Sequence, residues 1–454
     1  MELKHSGMKW CLVHIGNDIA YGLAFVAGEL LRMKHKIMWI DGDEDVVKLN
    51  KKIKDYAPHY VCFGPLSTEF TRSLKLVKEF KKVLPSIKSV FGGKHVFAVP
   101  EEIKKNKDID YLVWGPVYES IDKIKVSLDK KYINSFDGFS GSGVVSRLLK
   151  VHSKKLIVND LEYYCYVINN CYLSNPTLIQ RKEINDKIDY LNTKRQSCNK
   201  KGFVEKLYCP KDDDDIQEGE RVFFTNENGK IIDCLRSLIN NDDYYSLSSL
   251  LYKASVNNNT SGVFKGFYKS TETNKGQFGG NAKNALRRIK KAIELEYPIF
   301  LLNECQTIIK QQDTNILVKD LKNEDIDITY YDPPYNEHPY GSNYFMLNCI
   351  AKNEEPKDLS KVAGIPKDWN KSHYNKKDEV INFLDELIKN TPSKYIITSY
   401  SSEGHLSYKK VKNIMKKYGE LNIKEINYTN FRAARIQKAR EKKIKEYLFI
   451  LKVK

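Results

Sequence analysis

The sequence predicts an α/β protein of two successive doubly wound units, the second interrupted by a long insert. Three observations predict it. Short apolar runs alternate with amphipathic stretches over residues 10–120, and the alternation starts afresh near Tyr132. It then breaks off over residues 176–300, a polar stretch rich in Asn, Lys, Ser and Gly, before it resumes. Strands alternating with helices of this length make βαβ units and a parallel sheet.

In the first unit, Trp10–Ile15, Lys36–Ile40, Tyr60–Gly64, Val90–Gly92 and Tyr111–Trp114 are predicted strands. Ala20–Lys34, Val46–Tyr56 and Thr68–Val83 are predicted helices, which gives a flavodoxin-like domain over residues 1–123. The second unit, residues 124–454, opens with predicted strands Ile133–Phe139 and Lys155–Val158 and predicted helices Val144–Lys150 and Tyr163–Leu173. It resumes with predicted strands Pro298–Leu302, Thr307–Ile309, Ile326–Tyr331, Tyr395–Ser399 and Tyr447–Val453. The expectation is a Rossmann-type sheet with 176–300 as an inserted subdomain. An acidic cluster, Asp212–Asp215, falls inside the insert, and no internal repeat is present.

The chain has 454 residues, enough for two or three domains, and 41% of them are apolar. No run of about 18 apolar residues exists, and Met1–Lys9 lacks the apolar core of a signal peptide. The nine cysteines form no CxxC pattern and no metal-ligand spacing. They are expected to be reduced thiols in a cytoplasmic protein that binds no metal. The formal charge is +17, with +5 over the first 125 residues and +12 over the rest. Such an excess favours a polyanionic partner, although a lysine-rich solvated surface gives the same number.

Two motifs carry chemistry. Asp137-Gly138-Phe139-Ser140-Gly141-Ser142-Gly143 ends a predicted strand and opens a predicted helix. Gly141 and Gly143 allow positive φ and close backbone approach, and the helix N-terminus offers free N–H groups to a ligand carboxylate. About twenty residues on, Asn159-Asp160 ends the next strand, where an acidic side chain can take the ribose hydroxyls of an adenosyl group. Asp137, Phe139, Ser140, Gly141, Gly143, Asp160 and Leu161 are therefore the candidate cofactor residues.

The second motif is Asp332-Pro333-Pro334-Tyr335, directly after the strand Ile326–Tyr331. An aromatic amine is a poor nucleophile because its lone pair is delocalised into the ring. The Asp332 carboxylate and the Pro333 carbonyl would accept its two N–H bonds and draw the nitrogen towards tetrahedral geometry. The prolines, Pro334 included, preorganise those acceptors. Tyr335 offers a flat face to an extruded base. Lys265, Lys269, Lys283, Arg287, Arg288, Arg432 and Arg435 are candidate phosphate contacts.

FSGSG followed by YDPPYNEHPYGSNYF resembles the amino-group DNA adenine methyltransferases of the D12/Dam type, over residues 130–454. Asn159–Tyr164, Asn226–Gly229, Thr260–Lys265, Gln277–Gly280, Ser399–Gly404 and Tyr447–Phe449 also match. The order of glycine motif, insert and DPPY is that of the family's α group. The resemblance implies S-adenosylmethionine as methyl donor, adenine N6 in double-stranded DNA as acceptor, and base extrusion. It further implies Asp313 as a contact for the cofactor adenine, sequence-reading contacts in the insert, and a cognate restriction endonuclease as partner. Phe431–Ile436 keeps Arg432 and Arg435 of an RGSRN-like stretch without its glycine and asparagine. Asp129–Tyr132 stands where the family carries a KYIGSK-like segment.

Residues 9–123 resemble the cobalamin-binding-like domain found at the front of many radical enzymes. The resemblance is carried by Ala24–Leu31, Cys62–Ser67, Val90–His95 and Asp110–Glu119. Cobalamin is implied only by this resemblance, since a DxHxxG motif is absent and so is CxxxCxxC. Three alternatives stay open at this stage: an RNA or protein-amide methyltransferase, a fusion that binds DNA or a corrinoid without turnover, and a cobalamin-dependent methyl-transfer enzyme.

Overall fold

The computed structural model describes residues 7–454 except 16–22, 24–25, 28–29, 32–33, 66–68, 93–105, 114–115, 196–201, 281–282, 284, 302 and 430–442. The predicted helix Ala20–Lys34 lies partly outside this set. His95, Arg432 and Arg435 lie wholly outside it. The chain divides into two compact units, Met1–Lys130 and Lys131–Lys454.

In the first unit β1 (Lys9–His14), β2 (Lys36–Asp41), β3 (Tyr60–Phe63), β4 (Lys88–Phe91) and β5 (Tyr111–Leu112) pair in the order β2-β1-β3-β4-β5. Every pairing is parallel. This is the flavodoxin-like strand order. Helices Val46–Tyr56 and Phe70–Val83 lay Leu49, Ile53, Leu76, Val77 and Phe80 against Cys11, Val13, Val61, Phe63 and Phe91 of the sheet. Asp45 starts the first of these helices by accepting the Val47 and Lys48 N–H groups, and Ala57, at φ 49°, ends it.

The second unit holds a seven-stranded sheet in the order β11-β12-β10-β9-β6-β7-β8. Its strands are β6 (Ile133–Asp137), β7 (Ser153–Asp160), β8 (Gln306–Gln311), β9 (Ile326–Tyr331), β10 (Ser393–Ser401), β11 (Gly419–Thr429) and β12 (Lys443–Val453). The first five to pair across the middle are parallel, and β12 runs antiparallel to β10 and β11. This is the expected Rossmann-type sheet. β9 is buried along its whole length, which is why Ile326–Tyr331 reads as an unbroken apolar run. Strand order reverses between β6 and β9, and a crevice outside the carboxyl ends of the strands forms at such a point.

The predicted strand Pro298–Leu302 does not form. The stretch before β8 is irregular in its described residues. β11 and the helix Val380–Asn390 are present without having been predicted. Cys234 is disulfide-bonded, contrary to the expectation of nine reduced thiols, and its partner lies outside the described residues. Cys11, Cys62, Cys165, Cys171, Cys209, Cys305 and Cys349 are free and buried.

The insert is helical. Leu178–Lys194, Phe203–Tyr208, Asn226–Leu238 and Tyr244–Val256 pack on a core shared with the helices Tyr163–Tyr172 and Phe345–Lys352. Its many asparagines serve internal carbonyls. Asn228 donates to Ile289 O and Lys291 O and accepts from Ile293 N. Asn259 donates to Val222 O and Gln277 O and accepts from Gly279 N. A polar composition that reads as loop is thus spent on holding irregular chain in place.

Lys150 pins the insert to the sheet. Its buried ammonium donates to Ser174 O, Asn175 Oδ1 and Leu301 O at 3.0, 2.8 and 2.7 Å. Those groups flank the exit from the sheet and the return to it. Replacing Lys150 by Met removes three hydrogen bonds from a buried charged donor. Lys150→Met should therefore lower stability by about 2–4 kcal/mol in urea unfolding, and an unchanged midpoint would show the staple to be idle.

Candidate active site

The donor-side loop follows β6. Gly138 is squeezed there: a Cβ would stand 2.5 Å from the Tyr331 ring and 2.9 Å from Thr314 Cγ2. Its N–H donates to Tyr330 O at 3.1 Å and its carbonyl accepts the Thr314 hydroxyl at 2.7 Å. The chain then turns through Gly141 at φ 51° and Gly143 at φ 77°, from which the helix Val144–His152 begins. A Cβ on Gly143 would overlap Asn169 Oδ1 at 2.2 Å, whereas one on Gly141 would meet nothing within 4 Å. Gly143 is glycine for packing and φ, Gly141 for φ and open space.

Asn169 buttresses this loop from the helix Tyr163–Tyr172. Its amide donates to Ser140 Oγ, Gly141 O and Cys165 O. Asp160, at the end of β7, accepts the Gly141 N–H at 2.8 Å and the Glu162 N–H at 2.9 Å. Phe139 packs edge-on to Tyr331 and Tyr374. Leu161 is half-buried and its carbonyl accepts from Gln311 and Asn370. Asp313 caps the helix Thr314–Asp320, accepting the Asn315 and Ile316 N–H groups through one oxygen. Its second oxygen has no donor among the described residues.

The acceptor-side loop follows β9, the strand beside β6. Asp332 is open to solvent, yet protein surrounds its carboxyl closely enough for desolvation to push it up to about 7, with Glu446 adding to the rise. A group both reachable and desolvated sits in a recess. No described residue donates a hydrogen bond to the Asp332 carboxylate or to the Pro333 carbonyl. Tyr335 is half-buried, edge-on to Tyr400 at 6.2 Å, and its carbonyl accepts the His405 N–H at 2.7 Å.

The two loops share one cleft. Asp137 is buried, pushed up to about 7 by desolvation, and feels both Asp160 and Asp332. Its Oδ2 accepts the Ser146 hydroxyl at 2.6 Å, and its buried Oδ1 has no hydrogen-bond partner among the described residues. Tyr340 senses Asp332, Tyr335 and Asp160 together. Burial also raises Asp160, against the pull of its backbone donors. Three carboxyls raised by desolvation around one recess mark it as a candidate functional site.

A family model of the D12 class N6 adenine-specific DNA methyltransferases matches residues 118–430. The chain belongs to that class. Type II methyltransferase M.NlaIII of Neisseria lactamica is 31% identical over 329 residues, spanning 69% of this chain and 89% of the relative. Type II methyltransferase M.CviAII of Paramecium bursaria Chlorella virus 1 is 30% identical over 346 residues, 74% of this chain and 94% of the relative. Modification methylase StsI of Streptococcus sanguinis is 30% identical over 361 residues, 74% of this chain and 50% of the relative. The methyltransferase therefore acts on adenine in DNA, and membership implies S-adenosylmethionine as donor. The cleft fits that group: the unpartnered Asp137 Oδ1 suits its ammonium, and Gly141 leaves room for it.

The candidate DNA contacts of the methyltransferase divide. Lys265 is exposed and its ammonium lies 3.4 Å from His338 Nδ1, beside the acceptor-side loop. Lys283 and Arg287 are exposed, and Lys269 lies over the Phe267 ring. Arg288 is half-buried and donates to Val256 O inside the insert.

Sequence reading missed Asn169, Glu162 and Glu446. The buried Glu162 carboxyl is pushed up to about 7 by desolvation, and it accepts from Asn348 and Asn370. Glu446 pairs with Ser401 across β10 and β12, so it shares a sheet face and edge with Asp332. A single asparagine or glutamate inside an apolar run was the available signal.

Asp332 must be ionised to accept an amine proton, so activity should fall as pH drops through about 7. Asp137 from β6, Tyr330 of β9, Tyr340 and Glu446 are the titratable groups around it. Removing the Glu446 charge eases ionisation of Asp332. Single-turnover methyl transfer by Glu446→Gln should therefore show its acid limb displaced to lower pH, and a limb in the same place would remove Glu446 from the site.

Proposed function

We propose that the methyltransferase modifies adenine N6 within one short duplex sequence, in the cytoplasm, as the protective half of a restriction–modification pair. The pairing with an endonuclease is supported by the relatives, of which two are named type II methyltransferases. The observation that carries the catalytic reading is the pair of acceptors without donors, Asp332 and Pro333 O, at the switch point of the sheet.

Asp137, Phe139, Ser140, Gly141, Gly143, Asp160, Leu161 and Asp313 would hold S-adenosylmethionine. Asp137 Oδ1 would take its ammonium, and the second Asp313 oxygen would take its adenine amino group. When bound, the cofactor supplies an electrophilic methyl group. The Asp332 carboxylate accepts one N6–H of the target adenine, and the Pro333 carbonyl accepts the other. This withdraws the lone pair from the ring and aims it at the donor side. Tyr335 stacks on the base, which must leave the duplex to reach these atoms. The ionised Asp332 is then placed to receive the proton that the methylated nitrogen loses.

The insert faces DNA through Lys265, Lys269, Lys283 and Arg287, with Arg432 and Arg435 as further phosphate contacts. Arg288 has a weaker claim, since its guanidinium already serves Val256 O. A corrinoid on Met1–Lys130 has the sequence resemblance and the strand order for support, and no step above uses it.

Incubation with unmethylated genomic DNA and S-adenosylmethionine, followed by modification-sensitive sequencing, should reveal N6-methyladenine in a single short motif. Asp332→Ala should reduce the rate at least 1000-fold with an unchanged circular-dichroism spectrum. Methylation at the normal rate by that variant would overturn the role of Asp332.

A further inference from the structure

Lys265 stands next to the acceptor-side loop with no carboxylate among the described residues bound to its ammonium. Lys206, Lys253, Lys394 and Lys417 each hold a carboxylate. Among the described residues Lys265 meets only the imidazole of His338, at 3.4 Å, and both side chains are exposed. One acceptor leaves the ammonium with N–H groups directed at solvent.

Both partners sit on loops held against the catalytic segment. Phe264 N–H donates to Asn343 O at 2.7 Å, tying the insert to the helix Tyr340–Asn343. His338 N–H donates to Asn336 Oδ1, Asn336 O accepts from Asn375, and the His405 ring meets Asn375 O. His405 N–H holds Tyr335 O. The Lys265–His338 pair is thereby placed a few residues from Tyr335.

The surface beside it is low. A Cβ on Gly262 or Gly266 would meet nothing within 4 Å, and both residues are exposed. A sugar–phosphate backbone can approach such a loop closely. The carboxylate next to the pair in the chain is the exposed Glu337, immediately before His338. Its own backbone N–H, then His338, His405 and Lys265, hold it below the usual carboxylate range.

We propose that Lys265 and His338 clasp one phosphodiester flanking the extruded adenine, and that Glu337 occupies their cationic field until DNA replaces it. The proposal rests on the adenine-methyltransferase reading. Extruding a nucleotide swings its base into the cleft and leaves its phosphates at the mouth, where a pair of donors fixes register without reading sequence.

The test uses the full-length protein and duplexes carrying the modified motif. One phosphodiester on either side of the target adenine is replaced by a neutral methylphosphonate. For the wild type, neutralisation at one of the two positions should weaken binding about tenfold. The Lys265→Ala/His338→Ala protein should bind the neutral and charged duplexes equally, and Glu337→Gln should bind the charged duplex more tightly than wild type does. A methylphosphonate penalty that persists undiminished in the double variant overturns the clasp. An unchanged affinity of Glu337→Gln overturns the place-holder role. Methylation of the unmodified duplex by wild type is scored separately, so loss of the clasp and loss of the methyltransferase reading are distinguishable.

Discussion

β6 and β9 lie side by side at the point where strand order reverses, and the rest of the site depends on how closely they meet. The junction is so tight that Gly138 has no room for a side chain against Tyr331 and Thr314. Its N–H and carbonyl are both used, one by Tyr330 O and one by the Thr314 hydroxyl. Because the two strands end together, the glycine loop after β6 and the Asp332–Tyr335 loop after β9 open into the same recess. Burial there raises Asp137, Asp160 and Asp332 alike, and like charge adds to the rise of Asp137, from Asp160 and Asp332, and to that of Asp332, from Glu446.

The insert completes the site by being anchored rather than tethered. Lys150 ties its exit and return to the sheet, and its core runs on into the helices Tyr163–Tyr172 and Phe345–Lys352. The first of these helices supports the glycine loop through Asn169. The second follows the catalytic loop in the chain. Glu162 bridges the two neighbourhoods by accepting from Asn348 and Asn370. The insert is thus packed directly against elements on both sides of the cleft.

Met1–Lys130 is a unit with its own parallel sheet and its own apolar core. It occupies the part of the chain where the family's upstream segment is expected. Within the methyltransferase unit, the turn after β6 is held from within: Ser140 and Gly141 are bonded by Asn169 and Asp160, and the Gly143 N–H donates to Ser140 O.

By itself the sequence determined the two α/β units, the glycine turn, the DPPY loop and the chemistry those residue types allow. Each of these is written in local pattern: strand burial gives apolar runs, and a ligand-approaching turn demands glycine. The family resemblance extended that to adenine in DNA. What only the tertiary structure decided were the partners brought in from far along the chain. Asn169 behind Gly141, Glu446 beside Asp332, and Lys265 against His338 are set by helix and strand packing, which leaves no mark in neighbouring residues. The helical nature of the insert was hidden for a related reason. Its asparagines bond to carbonyls tens of residues away, so a composition that signals loop locally serves as scaffold once the chain is folded.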